Sequence, residues 1–167
     1  MIPLTGELKA IINNPVSEFL KEALKYLGEK ESPHLSNRST RIDYWLLETG
    51  VGLGLPWCAA YVTGVGRQAL GHAWPVPFSA SVQILVDWAK KKECFYDAPV
   101  KGDLFVIYFP NLSRYGHIGI VTEVIDGAIK TIEGNTNPGG SRDGWGVFER
   151  TRKLSDGIKY IRWMDLL

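Results

Sequence analysis

The sequence has little cysteine, little histidine and almost no net charge, and each shortage excludes a class of protein. Only two cysteines and three histidines occur among its 167 residues, and no C-x-x-C pair is present. The cysteines are therefore too few for a disulfide framework, and the cysteines and histidines lack the usual spacing of zinc ligands. The 19 basic residues nearly balance the 18 acidic residues, for a net charge of +1. This balance does not favour binding to nucleic acid or to an anionic membrane.

Long apolar runs and targeting signals are also missing. No stretch reaches the roughly 18 consecutive apolar residues that a membrane span needs. Residues 1–14 lack the cationic start, apolar run and small-residue cleavage site of a secretory signal. The sequence contains no D-x-D-x-D-G calcium loop, so no metal and no other cofactor is predicted. We therefore expect synthesis in a reducing cytosol, without a signal peptide.

The chain does contain enough apolar and aromatic residues for a packed core. Hydrophobic residues make up 45% of the sequence, with six Trp, seven Tyr and six Phe. A chain of this length buries roughly two-thirds of its unfolded surface. No internal repeat or low-complexity tract interrupts the sequence. We predict a single domain over residues 1–167, with residues 1–14 as a candidate flexible segment.

Four helices are predicted in the first half, because apolar residues recur there at intervals of three and four positions. The first stops at Gly28, the second spans about 39–49, the third spans about 56–70, and the fourth follows Pro77. The inward residues are, for the first helix, Val16, Phe19, Leu20, Ala23, Leu24 and Leu27, and for the fourth, Val82, Leu85, Val86 and Ala89.

Strands are predicted after Pro99, where β-branched and aromatic residues become frequent. Five of them are expected, at 103–109, 117–124, 128–132, 147–150 and 159–163. Helices followed by strands indicate an α+β fold, in which N-terminal helices pack on a central antiparallel sheet. The glycine-rich segment 134–146 is predicted to be a long surface loop.

Cys58 is the candidate nucleophile, because it falls in the first turn of the third predicted helix. A thiol attacks as the thiolate, and the free N–H groups at a helix start favour an anion. That effect supplies only about 0.3 to 2 kcal/mol, so an imidazolium partner is also needed. The alternative is a buried cysteine that packs as a small apolar residue. Cys94, with no base nearby in sequence, is assigned that structural role.

His117 is the best candidate for the base among the three histidines. It opens a predicted strand, and a rigid sheet would fix the direction of its ring. His34 lies in a polar loop and is expected to be solvated. His72 follows a helix end, where a histidine often caps carbonyl groups.

The turn after the strand of His117 decides which residues share its face. A two-residue loop at 126–127 would point Glu133 and Asn135 away from the histidine. A three-residue loop at 125–127 would place Asn135 opposite His117 and Glu133 diagonal to it. We therefore predict the three-residue loop.

That register pairs Val124 with Ala128. Considered singly, Glu133 is as easily a solvent-facing carboxylate and Asn135 a turn former. Considered together with a cysteine at a helix start, the two residues favour a catalytic group.

Four motifs in this order resemble the CHAP domain, a family of papain-like cysteine peptidases and amidases related to the NlpC/P60 group. They are Pro-Trp-Cys-Ala-Ala-Tyr-Val at 56–62, Lys-Gly-Asp-Leu at 101–104, Gly-His-Ile-Gly-Ile-Val at 116–121 and Glu-Gly-Asn-Thr at 133–136. The chain departs from papain in having no glutamine shortly before Cys58. One donor to the oxyanion is therefore unassigned, and the backbone N–H of Cys58 is the only one named.

The resemblance implies a papain-like fold and a role for each candidate residue. Cys58 would be the nucleophile, His117 the general base, Glu133 the residue that orients the base, and Asn135 an auxiliary polar group. The implied substrate is peptidoglycan, cut at an amide bond between sugar and stem peptide or within the peptides.

Three further residues are predicted to contact the substrate. Trp57 would line the cleft as an apolar wall, although a core tryptophan is an equal alternative. Tyr61, one helical turn further on, has the same two interpretations. Asn137 lies in the glycine-rich loop with Arg142 and Asp143, beside the predicted site, and a solvated turn is the alternative interpretation of this loop.

The resulting hypothesis is a phage lysin or an antibacterial effector. Such an enzyme would reach the cell wall through a holin-like lysis step or a secretion machine, and an immunity or inhibitor protein is a candidate partner. Two alternatives are a non-catalytic wall-binding or adaptor domain, and a thiol acyltransferase or peptidase that acts on a protein.

Overall fold

The computed structural model describes residues 14–139 and 143–167, and it places the helices before the strands, as predicted. The helices are α1 (Pro15–Leu24), α2 (Thr40–Glu48), α3 (Cys58–Leu70) and α4 (Val82–Lys91). The strands are β1 (Phe95–Tyr96), β2 (Leu104–Phe109), β3 (Arg114–Ile125), β4 (Ala128–Thr136), β5 (Gly146–Lys153) and β6 (Ile158–Ile161). The predicted α+β class is confirmed.

The six strands form one antiparallel sheet in the order β1-β6-β2-β3-β4-β5. Helix α3 packs against β3 and β4, while α1 and α2 pack on α3. The largest side chains buried with the helices are Trp45, Trp57, Trp163, Tyr61 and Phe19. A smaller apolar cluster is formed by Phe105, Val121, Ile129, Ile158 and Tyr160. Since α3 contacts two central strands, its first residue lies beside the sheet.

The helix starts show how local sequence defines three of the four helices. Asn14, Ser39 and Ser81 each accept a hydrogen bond from a backbone N–H two or three residues into the helix that follows. Side-chain caps of this kind satisfy N–H groups that have no partner within the helix. Helix α3 has no such cap from its own segment. Its start is held by residues from elsewhere in the fold.

Helix α1 is shorter than predicted. It ends at Leu24, and Leu24 and Leu27 are exposed rather than inward. The chain turns there because Gly28, with a positive φ of 86°, donates a hydrogen bond to the carbonyl of Val147 on β5. This connection to the sheet removes the last predicted turn from the helix. The predicted start of α3 at Pro56 is also early, since the helix begins at Cys58.

The hairpin between β3 and β4 differs from the prediction in one place and agrees with it in another. Ile125 pairs with Ala128, so the loop has two residues and the predicted pairing of Val124 with Ala128 is wrong. The two loop residues are Asp126 and Gly127, and Gly127 has a positive φ of 65°, which glycine adopts without steric cost.

A bulge at Thr122 then moves the register by one residue. Val121 pairs with Thr131 and Ile120 with Ile132, whereas Glu123 pairs with Lys130. Bulges leave one residue unpaired and shift the strand in this way. Beyond the bulge the register is therefore the one that a three-residue loop would have produced, and continuing it places position 135 opposite position 117.

Within residues 14–139 and 143–167, no helix is long and apolar enough to cross a membrane. The same residues contain no group of three or more His, Cys, Asp or Glu side chains arranged to hold a metal ion.

Candidate active site

Cys58 is the first residue of α3, and its side chain is almost fully buried. It contributes to the wall of a groove of about 310 Å³. Because it lies in the first helical turn, its backbone N–H has no acceptor within the helix. The position therefore combines a thiol, a free N–H group and the positive end of the helix dipole.

Two polar side chains from other elements hold this helix start in place. The side-chain oxygen of Asn135 accepts a hydrogen bond of 3.0 Å from the backbone N–H of Trp57, and Glu31 accepts one of 2.9 Å from the Trp57 indole. Asn135 is buried in the left-handed conformation, with a φ of 55°, which asparagine tolerates better than most residues. The predicted auxiliary residue thus binds the residue before Cys58.

His117 on β3 and Glu133 on β4 form a buried hydrogen-bonded pair. His117 Nε2 lies 2.8 Å from Glu133 Oε2, and the two side chains are 1% and 0% exposed. An ionised carboxylate can only accept, so Nε2 must carry the hydrogen. The other ring nitrogen, Nδ1, is buried and has no hydrogen-bond partner among the described residues. Nδ1 is therefore the nitrogen that can exchange a proton with a neighbouring thiol.

Cys58 lies close enough to the imidazole ring of His117 to change the pKa of the ring. Burial is the largest single influence on the pKa of His117 and lowers it. Interactions with Cys58 and with Glu133 act in the opposite direction and together raise the pKa to about 9. The imidazole is consequently cationic at neutral pH, which is the form that stabilises a thiolate.

Glu133 is kept ionised by a residue that the sequence analysis did not identify. Arg152 on β5 donates to both carboxylate oxygens, at 2.7 and 2.6 Å, and Thr131 donates a third hydrogen bond of 2.6 Å. Burial raises the pKa of Glu133, but Arg152 and then His117 outweigh it and hold the pKa at about 2. Strand β5 alternates in exposure and is rich in charged residues, a pattern typical of a solvent-facing strand. Its sequence gives no sign of this contact.

Two predicted substrate contacts are corrected by the structure. Trp57 and Tyr61 are both fully buried, so neither side chain can line the cleft. The Trp57 ring stacks on Trp45 with 6.0 Å between centroids, and the Tyr61 hydroxyl donates to the carbonyl of Ala23. Trp57 is thus the core tryptophan that was the alternative interpretation. Both residues fix α3 in the core.

The other residues considered in the sequence have simpler positions. Asn137 is partly exposed at the end of β4, where a contact with substrate stays a prediction. Arg142 lies outside the described residues. His34 and His72 are exposed, and Cys94 is fully buried, where burial raises the pKa of its thiol. Of the candidate residues, the structure brings together Cys58, His117, Glu133 and Asn135.

Glu31 is the second residue that sequence reasoning missed. It is 6% exposed, and besides the Trp57 indole it accepts a hydrogen bond from the backbone N–H of Asn37. It lies between two helices, where no periodic pattern predicts its partner. Its contact with the Trp57 indole can be recognised only once the path of the chain is known.

Gly119 provides a test of the packing around the histidine pair. A Cβ atom at this position would lie 2.5 Å from a Phe105 ring carbon and 2.8 Å from Cγ of Glu133. We expect Gly119→Ala to displace Glu133 and to lower the rate of any reaction at this site about 10²-fold, the effect of a misplacement of about 1 Å. Enzyme kinetics together with thermal unfolding would measure the change.

Gly52→Ala is the matched control, because a Cβ atom there meets nothing within 4 Å and the backbone φ is not positive. Its rate and stability should stay close to those of the parent. Equal rates for the parent and Gly119→Ala would contradict the described packing.

Comparison with known proteins finds a matching family model and several matching solved structures. A family model described as the CHAP domain matches residues 50–135, just over half of the chain. A solved structure, the crystal structure of Ly7917, is 16% identical with a TM-score of 0.48, over 87% of this chain and 61% of that chain. Ly7917 with the hydrolyzing product of MDP gives 15% identity and a TM-score of 0.47, over 87% and 62%. This chain thus spans less than two-thirds of Ly7917, and no curated protein matches it.

Proposed function

The chain belongs to the CHAP domain family, and on that premise we propose that it is a cysteine hydrolase that cleaves an amide bond of peptidoglycan. The observation that best supports this proposal is the position of Cys58 at a helix start beside a buried, cationic His117. Peptidoglycan hydrolysis is a function that the family implies, and the site contains the groups that hydrolysis of an amide requires.

The proposed reaction starts from an ion pair, in which Nδ1 of His117 already holds the proton that the thiol of Cys58 has given up. The sulfur then attacks the carbonyl carbon of the scissile amide, and the backbone N–H of Cys58 donates to the oxyanion that forms. The imidazolium returns its proton to the departing amine, which breaks the C–N bond and leaves an acyl-enzyme. Water, deprotonated by His117, attacks the thioester, and the acid product leaves as the C–S bond breaks, which restores the thiolate and the imidazolium.

Glu133 and Asn135 would support this cycle without contacting the reacting atoms. The carboxylate of Glu133 holds Nε2–H, so the ring presents Nδ1 at every step. Asn135 holds the backbone before Cys58 and thereby the direction of the nucleophile. These assignments place the base and the nucleophile on different elements, each fixed by a buried hydrogen bond.

The shape around Cys58 suits an extended substrate. The groove at Cys58 is lined by the apolar side chains of Val51, Leu55 and Val82, with Arg114 and Asp143 among its polar residues. A second cavity, of about 280 Å³, is lined by Asn135 and shares Pro56 and Asp143 with the first. A peptide could occupy the two cavities with its amide near the sulfur.

We propose two candidate bonds within this function. An N-acetylmuramoyl-L-alanine amidase would release intact stem peptides, whereas an endopeptidase would cut within the stem or the cross-bridge. The biological setting that we propose is a phage lysin or an antibacterial effector that reaches the wall after release from the cytoplasm, with an immunity or inhibitor protein as a candidate partner.

Digestion of purified sacculi tests the proposal and separates the two bonds. Mass spectrometry of the soluble fragments should show either intact stem peptides with a free alanine amino group or truncated peptides. The Cys58→Ala variant provides the control for contaminating activity. If sacculi of several chemotypes release no fragments with the parent enzyme, a peptidoglycan hydrolase is the wrong assignment.

A further inference from the structure

Arg152 is a charged side chain that lies behind the candidate site and has no role in the proposed reaction. Its side chain is 15% exposed, and it pairs with a carboxylate that is 0% exposed. Its Nε and one terminal nitrogen each donate to a different oxygen of Glu133. Such two-point pairing fixes both the position and the plane of a carboxylate.

An aromatic ring extends this arrangement to the histidine. The guanidinium carbon of Arg152 lies 5.5 Å from the centre of the Phe105 ring, and the Phe105 ring lies 6.1 Å from the ring of His117. The contact with the arginine is within the distance of a favourable cation–π interaction. Phe105 therefore packs against both ends of the chain of contacts that runs from Arg152 through Glu133 to His117.

The charges of this cluster alternate. In the ion-pair form that the proposed reaction uses, the groups in order are a thiolate at Cys58, an imidazolium at His117, a carboxylate at Glu133 and a guanidinium at Arg152. The Thr131 hydroxyl also donates to the carboxylate. The four charges sum to zero. Removal of the guanidinium would leave two negative charges for one positive charge in a buried region, which favours uptake of a proton.

We propose that Arg152 is a positioning residue, which holds Glu133 aligned and ionised so that Nδ1 of His117 stays directed toward Cys58. The proposal rests on the proposed function only in that it assumes thiol chemistry at Cys58. Arg152 itself touches neither the sulfur nor the substrate and acts through Glu133.

The first test compares Arg152→Met and Arg152→Lys with the parent. Lysine keeps the charge but cannot reproduce the two-point contact. We expect kcat to fall about 10- to 100-fold in Arg152→Met, the range known for loss of a residue that orients a metal ligand. Arg152→Lys should fall in between, with KM little changed in both variants. Lys153→Met, on the same strand with an exposed side chain, is the matched control and should keep the parental kcat.

The second measurement needs no peptidoglycan. The rate of alkylation of Cys58 by iodoacetamide, followed by mass spectrometry across a pH series, reports the thiolate directly. Its midpoint should move to higher pH in Arg152→Met and should stay in place in Lys153→Met. A folded Arg152→Met protein with the parental midpoint and parental kcat would overturn the proposal.

A double variant separates positioning from a general loss of stability. If Arg152 acts through Glu133, then adding Arg152→Met to Glu133→Gln should produce little further loss of kcat or shift of the alkylation midpoint. This double variant removes both partners of the ion pair together, so it remains a usable test even if Arg152→Met alone fails to fold. A further tenfold loss in the double variant, relative to Glu133→Gln, would contradict the proposal.

The two assays also separate this inference from the proposed function. If the parent releases no fragments from sacculi but its alkylation midpoint depends on Arg152 as expected, the substrate assignment fails and the positioning role stands. If sacculi are digested but the midpoint and kcat are independent of Arg152, the positioning role fails and the hydrolase stands.

Discussion

Cys58→Ala is expected to lower the rate of peptidoglycan hydrolysis by about 10⁴-fold or more, the size of effect seen when a nucleophile is removed. The thiol is the only sulfur that lines the groove among the described residues. Ser81 lines the same groove, but its hydroxyl accepts the capping hydrogen bond of α4. No acyl-enzyme should therefore form in the variant. Fragment release from sacculi, measured over a long incubation, provides the necessary range.

The second cysteine supplies the control for this experiment. Cys94 is fully buried, and burial raises the pKa of its thiol. Cys94→Ala should keep the parental rate at a modest cost in stability. Cys58→Ser should be nearly as inactive as Cys58→Ala, because a hydroxyl is far harder to ionise than a thiol. Hydrolysis by Cys58→Ala at a rate near that of the parent would place the chemistry elsewhere.

Glu133→Gln is expected to have the second largest effect, with a loss of about 10² to 10⁴-fold in kcat. Without the carboxylate, His117 loses the negative charge that helps to raise its pKa, and Nε2–H loses its ionised acceptor. The pKa of His117 should therefore fall, and the imidazolium should be less populated at neutral pH. A pH profile of kcat would show the change.

The same substitution should also alter stability and its dependence on pH. Glu133→Gln leaves Arg152, whose side chain is 15% exposed, without its counterion, and removal of one partner from a buried pair costs at most about 3 to 5 kcal/mol. In the parent, the pKa of Glu133 is lowered from 4.5 to about 2. Its contribution to stability is therefore present above pH 4.5 and is lost as the pH falls toward 2. The variant should lack this acid-sensitive component in urea unfolding.

Glu149→Gln on the neighbouring strand is the matched control, because its side chain is exposed. It should unfold like the parent at every pH. A stability difference between Glu133→Gln and the parent that is the same at pH 2 and pH 7 would contradict the ion pair.

Local patterns predicted much of the helical half of the fold. The inward face of α4 is as predicted, since Val82, Leu85, Val86 and Ala89 are all buried. Ser39 caps α2, which ends just before Gly50. These features depend on neighbours within one helical turn, which the sequence contains. The end of α1 was wrong because it depends on a hydrogen bond from Gly28 to a distant strand.

The prediction of the sheet failed for a different reason. Strand β1 was missed because a strand of two residues has no periodicity to detect. The register at His117 was predicted through a three-residue loop that does not exist, and the bulge at Thr122 restores that register. No property of Thr122 in the sequence marks it as the extra residue.

The sequence predicted the site residues that lie within the family motifs, but not their partners outside the motifs. The family resemblance is confirmed by the match to the CHAP domain, and the structure gathers Cys58, His117, Glu133 and Asn135. Trp57 was expected in the cleft but lies in the core, because its indole binds the buried Glu31. Arg152 was not predicted, because the strand pairing places it opposite Ile129 and places Glu133 opposite Phe148. Its contact with Glu133 therefore runs diagonally between the two strands.

The pairing of Cys58 with His117 is tested most directly by NMR titration of the histidine ring signals. In the parent, the pKa of His117 should be about 9. In Cys58→Ala the pKa of His117 should fall, because the interactions with Cys58 that help to raise it are gone. A His117 that titrates identically in both proteins would contradict the ion pair and the mechanism built on it.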